Sequence, residues 1–201
     1  RQRAAILFVT HGLGMAQQFC DRIVWLNSGQ VAAAGPPDEV VSAYREAMQR
    51  MTQQRTPAAQ PDQQTAGGEV LSVKRNRFGS LEVELYEVKL LDRRGAPVTI
   101  LPADHALTVD LSWRAEQLPK AVIFSVGIYS ADGLLLCEVF SPPGSLPAHQ
   151  GRISLTFDRL DLASGCYRLD VGAYPPDWSY AYDFHWQAYH LQVETPGDSK
   201  G

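Results

Sequence analysis

The sequence predicts a mostly β protein, an immunoglobulin-like antiparallel β-sandwich preceded by a small α/β segment. Three observations predict it. Beyond residue 80, several runs place apolar residues at every second position, the mark of half-buried antiparallel strands. Turn pairs separate those runs: Arg94-Gly95, Asp132-Gly133 and Ser164-Gly165. Ahead of them, residues 52–68 read TQQRTPAAQPDQQTAGG, with no Val, Ile, Leu, Met or aromatic residue. Such a stretch buries too little apolar surface to offset the entropy of ordering. The expected organisation is therefore an α/β segment over 1–51, a flexible linker over 52–69, a sandwich over 70–195 and a disordered tail over 196–201.

The first segment alternates strand and helix signals. Ala4–Val9 is a continuous apolar run, as in a strand buried on both faces. Leu13 to Asp21 reads as a helix with Leu13, Ala16, Phe19 and Cys20 on one stripe. Ile23–Leu26 and Gln30–Ala34 flank Asn27-Ser28-Gly29, a hairpin signal. Gly35-Pro36-Pro37-Asp38-Glu39-Val40 opens a second helix, with proline and acids where an N-terminus favours them. Its buried side takes Val40, Val41, Tyr44, Ala47, Met48 and Met51.

In the second segment, Leu81, Val83 and Leu85 share one parity, as do Leu107, Val109, Leu111 and Trp113. Val122, Phe124, Val126 and Ile128 form a third set, Ile153, Leu155 and Phe157 a fourth, and Tyr167, Leu169, Val171 and Ala173 a fifth. The parity slip between Leu85 and Val88 marks a bulge or a crossing between sheets. Tyr167, two residues after Gly165, fits a tyrosine corner.

Composition narrows the function classes. With 18 Lys+Arg against 22 Asp+Glu the net charge is −4, and no basic cluster offers a footprint for nucleic acid. No apolar run is long enough to span a bilayer. Arg1-Gln2-Arg3 before Ala4–Val9 superficially resembles a signal peptide, but His11-Gly12-Leu13-Gly14 follows instead of a cleavage site. The 3 cysteines, Cys20, Cys137 and Cys166, make no disulfide framework and no metal-ligand spacing, so a reducing compartment and no metal site are expected.

Phe8-Val9-Thr10-His11, Cys20-Asp21-Arg22-Ile23-Val24-Trp25-Leu26, Gly29 and Gly35–Val40 together resemble the end of an ATP-binding cassette (ABC) ATPase, over residues 4–44 or so. The resemblance implies that the α/β segment is a remnant of an ABC ATPase domain. It also implies that His11 is the switch histidine, at a strand end near the ATP γ-phosphate in the intact parent; an imidazole there can orient water for phosphoryl transfer. Thr10 replaces the usual Ser and Gly12 the usual Asp. There is no GxxxxGK[ST] phosphate loop, no signature motif and no acidic strand end before His11. ATP and Mg would thus belong to the full-length parent. This chain by itself is expected to use no cofactor and to be no enzyme.

A cassette end, a linker and a sandwich in that order are similar to Wzt-type subunits, the ATP-binding halves of exporters for O-antigen and related polysaccharides. The residues that support this are Val88–Asp92 with Gly95, Tyr129–Gly133, Gly165–Val171, and Tyr182-Asp183 leading into Leu191–Glu194. The resemblance implies a carbohydrate-binding domain that reads the modified end of the glycan before export. It implies the polysaccharide chain end, a membrane permease subunit and a second copy in a homodimer as partners, and a place at the cytoplasmic face of the cell membrane.

The residues suggest where a sugar would sit. A hairpin turn at Asp132-Gly133 sets Tyr129 opposite Leu136, Gly127 opposite Glu138 and Ser125 opposite Phe140. With Val122, Phe124, Val126 and Ile128 facing the core, the other face shows Ser125, Gly127, Tyr129, Leu136 and Glu138. In an immunoglobulin-like sandwich the 165–174 strand lies alongside and adds Arg168, Asp170, Gly172 and Tyr174. Glycines would open a shallow groove, tyrosines stack on sugar, and Arg, Asp and Glu bond hydroxyls. The competing reading is a plain solvated sheet face.

Trp178, Tyr180, Tyr182, Phe184 and Trp186 would share one face if residues 178–186 formed a strand. Phe184 and Trp186 are expected at an edge or dimer contact, Trp178 and Tyr180 at the ligand. A dimerisation or docking sandwich with no sugar site is the alternative function. A glycosidase pair, Glu138 with Asp170, is weakly suggested, and the histidines show no ligand spacing.

Overall fold

The computed structural model describes residues 5–10, 13–65 and 68–194. The chain divides into two compact units, residues 1–50 and 51–201.

In the first unit, helix α1 spans Leu13–Phe19, and strands β1 (Ile23–Asn27) and β2 (Gln30–Gly35) pair as an antiparallel hairpin. Ser28 and Gly29 between them both have positive φ, 50° and 79°, which matches the twist of a two-residue turn. Helix α2 spans Pro37–Arg55, with Pro37 at its first position and Asp38 and Glu39 in its first turn. Val40 and Val41 are buried, and Tyr44 meets Trp25 edge-on at 5.3 Å. The strand expected over Ala4–Val9 does not form within residues 5–10, where Ile6 is 89% exposed. An apolar parallel strand needs neighbours to take its hydrogen bonds, and the described residues of this unit supply none to it.

The second unit begins with the last turn of α2. Strands β3 (Gln63–Gln64), β4 (Val70–Leu71), β5 (Arg77–Phe78), β6 (Glu84–Leu91), β7 (Ile100–Pro102), β8 (Leu107–Arg114), β9 (Ile123–Tyr129), β10 (Leu135–Phe140), β11 (Gln150–Phe157), β12 (Gly165–Tyr174) and β13 (Asp183–Glu194) follow. One sheet runs β10-β9-β12-β13-β5, with β7 parallel to β13; the facing sheet runs β11-β8-β6. Between them lie Leu85, Val88, Val109, Leu111 and Trp113 from one side, and Val126, Ile128, Leu169, Val171 and Leu191 from the other. Each such fully buried side chain is worth roughly 1.5–3 kcal/mol. The mostly β sandwich expected from the sequence is the fold observed.

Several details follow the sequence reading. The β6–β8 register shifts between Leu85 and Glu87, where the parity slip lay. Tyr167 donates its hydroxyl to Ala163 O at 2.7 Å, closing the tyrosine corner. The strand expected from Leu81 instead starts at Glu84, because Leu81 sits at φ 63° and turns the chain.

The linker expectation is corrected at its two tethered stretches, residues 52–56 and 63–64. α2 continues to Arg55, and Thr52 and Thr56 are buried. Thr52 Oγ1 accepts the Ala181 N–H at 3.0 Å, and Thr56 Oγ1 accepts the Gly79 N–H at 2.9 Å. Farther on, β3 pairs with β4. Hydrogen bonds to a neighbouring backbone order this stretch where apolar burial does not. The tail expected over 196–201 lies outside the described residues.

A buried ion pair pins the entry of the chain to the last strand. Arg77 Nε and Nη2 donate to Asp183 at 2.9 and 2.6 Å, Arg77 Nη1 donates to Gln63 Oε1, and Asp183 also accepts the Leu85 N–H. Burial opposes ionisation of Asp183, yet His185 and Arg77 outweigh it and hold the carboxyl below its ordinary range.

Candidate functional site

The outer face of the larger sheet carries most of the residues singled out from the sequence. β12 pairs with β9 so that Arg168 lies opposite Tyr129, Asp170 opposite Gly127 and Gly172 opposite Ser125. β10 places Glu138 opposite Gly127 and Phe140 opposite Ser125. Glu138, Gly127 and Asp170 thus form one row across three strands, with Tyr129 and Arg168 paired in the adjoining row.

One hairpin pairing is corrected. Tyr129 faces Leu135 rather than Leu136, because the register shifts between Leu135 and Cys137. The turn explains it. Gly133, at φ 82°, donates its N–H to Ser130 O, so the loop holds one residue more than a tight Asp-Gly turn.

The glycines do not leave a bare groove. A Cβ at Gly172 would stand 2.4 Å from Tyr174 Cε2, and one at Gly127 would stand 3.1 Å from Tyr129 Cε2. Each glycine is roofed by the tyrosine two residues along its own strand, a ring filling the space that the missing side chain vacates. Tyr174 is consequently only 6% exposed. Trp178 stacks on it at 4.7 Å with a 32° tilt, Phe140 meets Trp178 edge-on at 5.9 Å, and Phe184 lies 6.4 Å from Tyr174. Burial, then the charges of Asp170 and Glu138, push the Tyr174 hydroxyl well above its ordinary value; a hydrogen bond with Ser125 opposes the rise.

Tyr129 is half-buried and Arg168 and Glu138 are exposed. Arg168 Nη1 reaches Gln187 O at a long 3.5 Å. Leu135, beside Tyr129, is 37% exposed.

Asp170 is 4% exposed, and burial pushes its pKa up to about 7. Hydrogen bonds from the Gln187 N–H and from Tyr129 favour its charged form, and nearby Glu138 opposes it. The Gln187 contact belongs to a bulge. His185 to Tyr189 is four residue steps on β13, against two from Val171 to Leu169 on β12, so β13 carries two extra residues opposite Asp170. Gln187 takes φ 47° there.

Tyr180 is not part of this group. Its hydroxyl donates to Glu82 Oε2 at 3.0 Å, its ring meets Tyr182 edge-on, and the Arg55 guanidinium lies 3.9 Å above the ring centroid. Burial first, and Glu82 next, push its pKa up to about 12. The expected single-faced aromatic stripe does not form either. β13 starts at Asp183, Trp178 sits at φ 54°, and Asp177 Oδ1 accepts the Ser179 N–H, so residues 175–182 turn instead of extending. Tyr182 belongs to the core, while Trp186 is 50% exposed. His11 lies outside the described residues.

Phe140, Leu135 and Gln187 are neighbours of the site that the sequence reading left out. For Gln187 the alternation carries no sign, because an insertion of two residues restores the parity it disturbs. Chemically, the face offers one half-buried ring paired with a guanidinium and one row from a carboxylate, on the same sheet as an aromatic cluster centred on the buried Tyr174.

A family model described as the Wzt C-terminal domain matches residues 74–201. The O-antigen export system ATP-binding protein RfbB of Myxococcus xanthus is 31% identical over 179 residues, covering 86% of this chain and 41% of its own length. The chain therefore spans less than half of that relative. The teichoic acids export ATP-binding protein TagH of Lactococcus lactis is 43% identical over 44 residues, covering 22% of this chain and 9% of its own length. Among solved structures, the crystal structure of the C-terminal domain of wzt superposes with a TM-score of 0.54 at 18% identity, over 64% of this chain and 83% of that one. At that identity the likeness concerns the fold.

Proposed function

The chain belongs to the Wzt C-terminal domain family, and from that premise we propose that its sandwich is the polysaccharide-recognition module of an O-antigen-type ABC exporter. The module binds the modified terminus of the glycan at the cytoplasmic face and so couples chain completion to ATP-driven export. Similarity to an O-antigen export ATP-binding protein along 86% of the chain supports the substrate class. The observation that carries the site is the half-buried Tyr129 ring, paired in register with exposed Arg168 and one row from exposed Glu138. A pyranose stacks its apolar face on Tyr129, Arg168 donates to ring or terminal oxygens, and Glu138 accepts from hydroxyls. Gly127 and Asp170 occupy the neighbouring row, Ser125, Tyr174 and Trp178 take a supporting part farther along the face, and Tyr180 takes no part.

Binding is non-covalent in this reading. Asp170 is 4% exposed and accepts hydrogen bonds from the Gln187 N–H and from Tyr129, which leaves little of its carboxyl to meet a substrate beside Glu138. The sequence has no GxxxxGK[ST] loop, and among the described residues no group of His, Cys, Asp and Glu could hold a metal. We therefore place ATP hydrolysis in the remainder of a longer parent, with His11 contributing there, and a membrane permease as that parent's partner. No described helix is long and apolar enough to cross a membrane.

The test is a glycan array of bacterial O-polysaccharides followed by calorimetry. The reading expects saturable heat with a glycan that is recovered chemically unchanged, and at least tenfold weaker binding in Tyr129→Ala and Arg168→Ala. Unchanged binding in both variants removes the site from this face. A second reading, a dimerisation surface, is favoured by Trp186 at 50% exposure and by exposed Leu134 and Leu136. It expects self-association in sedimentation that Trp186→Ala or Leu136→Ser abolishes, and indifference to every glycan.

A further inference from the structure

A separate cleft opens at the edge of the sandwich where β3 lies against β6 and β13. It has a volume of about 390 Å³ and is bounded by Gln64, Tyr86, Glu87, Val88 and Tyr189 together with Gln63. That volume falls within the range of small-molecule clefts, roughly 300–1,000 Å³. Tyr189 pairs with Leu169 and so lies on the core-side parity of β13, away from the face that carries Arg168 and Tyr129.

The walls are fixed. Gln63 Nε2 donates to Tyr86 O at 2.6 Å while its Oε1 accepts from Arg77 Nη1 at 3.0 Å, which ties β3 to the buried ion pair. The Tyr189 hydroxyl is bonded to His185 Nδ1 at 2.7 Å. Such anchoring spares a ligand the cost of ordering its site. The lining combines three chemistries. Tyr86 is 41% exposed, a ring available for stacking. Val88 is apolar and buried. Gln64 is an exposed amide with both donor and acceptor atoms. Glu87 receives Lys89 Nζ at 2.9 Å and Ser112 Oγ at 3.2 Å, and the Lys89 contact leads in holding the carboxyl below its ordinary range, against burial. It is the one carboxylate in the lining and is paired with Lys89, so the cleft is close to neutral: it gives an acidic ligand no counter-charge, and it offers charge-assisted acceptance to hydroxyls.

We propose that this cleft is a second saccharide site, taking one neutral, hydroxyl-rich pyranose with its apolar face on Tyr86 and its hydroxyls on Gln64 and Glu87. It rests on the carbohydrate-binding reading above but on different residues. A sandwich with two such sites engages a glycan at two points, which raises avidity without tightening either contact.

Amide-resolved NMR of the whole chain tests it. The probes are the methyl glycosides of glucose, galactose, mannose and rhamnose, with glucuronate as the acidic comparison. At least one neutral glycoside should give saturable shifts at the Gln64 side-chain amide and at the Glu87 and Val88 backbone amides. In Tyr86→Ala the dissociation constant should rise at least tenfold, with the rest of the spectrum unchanged because Tyr86 is a surface residue. Glu87→Gln should weaken binding and narrow the gap to glucuronate. Absence of shifts at these amides with all four glycosides, equal response to glucuronate, or undiminished binding in Tyr86→Ala would each overturn the proposal. Shifts at the Tyr129 and Arg168 amides report on the outer face separately. Shifts there alone keep that site and reject the cleft; shifts at the cleft alone support the cleft, and the outer face is then judged by the O-polysaccharide titration.

Discussion

The ring of Tyr174 roofs Gly172, so close that a methyl group at position 172 would stand 2.4 Å from a ring carbon. Trp178 packs against the same ring, 4.7 Å between centroids, and limits its freedom to move away. Gly172→Ala should therefore destabilise the sandwich by about 1–3 kcal/mol, the usual cost of overpacking. Urea denaturation of wild type and variant measures it. An unchanged midpoint would mean that the aromatic cap is loose.

Asp170 should make stability depend on pH in an unusual direction. Its folded pKa of about 7 lies above the ordinary carboxyl value of 3.8. Between those values the native state binds more protons than the unfolded chain, so stability falls as pH rises from about 4 to about 7. The contribution is of order 1 kcal/mol per pH unit at most. Asp170→Asn keeps an acceptor for the Gln187 N–H and removes the titration. It should flatten the profile over that window and be the more stable protein above pH 7, as read by chemical denaturation at several pH values.

Asp183 has the opposite sign. Its folded pKa is depressed, so its contribution is complete above the unfolded carboxyl value and disappears as pH falls through the folded one. Breaking the buried pair by Arg77→Met or Asp183→Asn leaves a group without its counter-charge and should cost roughly 3–5 kcal/mol at neutral pH. The loss of stability of Asp183→Asn, relative to wild type, should shrink on acidification below pH 4.

The last turn of α2 should count as part of the sandwich. Thr52→Val and Thr56→Val each strip the acceptor from a buried N–H, of Ala181 and Gly79 respectively. Each should cost about 1–3 kcal/mol. Thermal unfolding checks this, and hydrogen exchange at Gly79 and Ala181 should speed up in the corresponding variant. Valine variants as stable as wild type would restore the view of this stretch as a passive connector.

The strands were legible because the sandwich core is built on alternation. The parity of Val122–Ile128 and of Leu169–Ala173 marked both strands and the residues on the outer face, while their pairing came from the immunoglobulin-like arrangement. The bulge near Leu85 broke parity and announced itself. What stayed hidden has no periodic signature. Thr52 and Thr56 order a polar stretch through side-chain acceptors, and Gln63 is tied to an arginine 14 residues away. The fate of the glycines was hidden too. Alternation shows that Gly127 and Gly172 share a face with tyrosines, but not that those rings lie down upon them. The strand expected over Ala4–Val9 does not form within the described residues 5–10, for a different reason: a strand's stability resides in its neighbours, which no local pattern reports.

The bulge opposite Asp170 has a bearing on how such domains diversify. Adding residues to β13 in pairs leaves every inward side chain pointing inward, whereas a single addition would turn the remainder of the strand inside out. Residues can thus be added or removed here two at a time, reshaping the outer face of the sheet while the packed interior stays indifferent to the change.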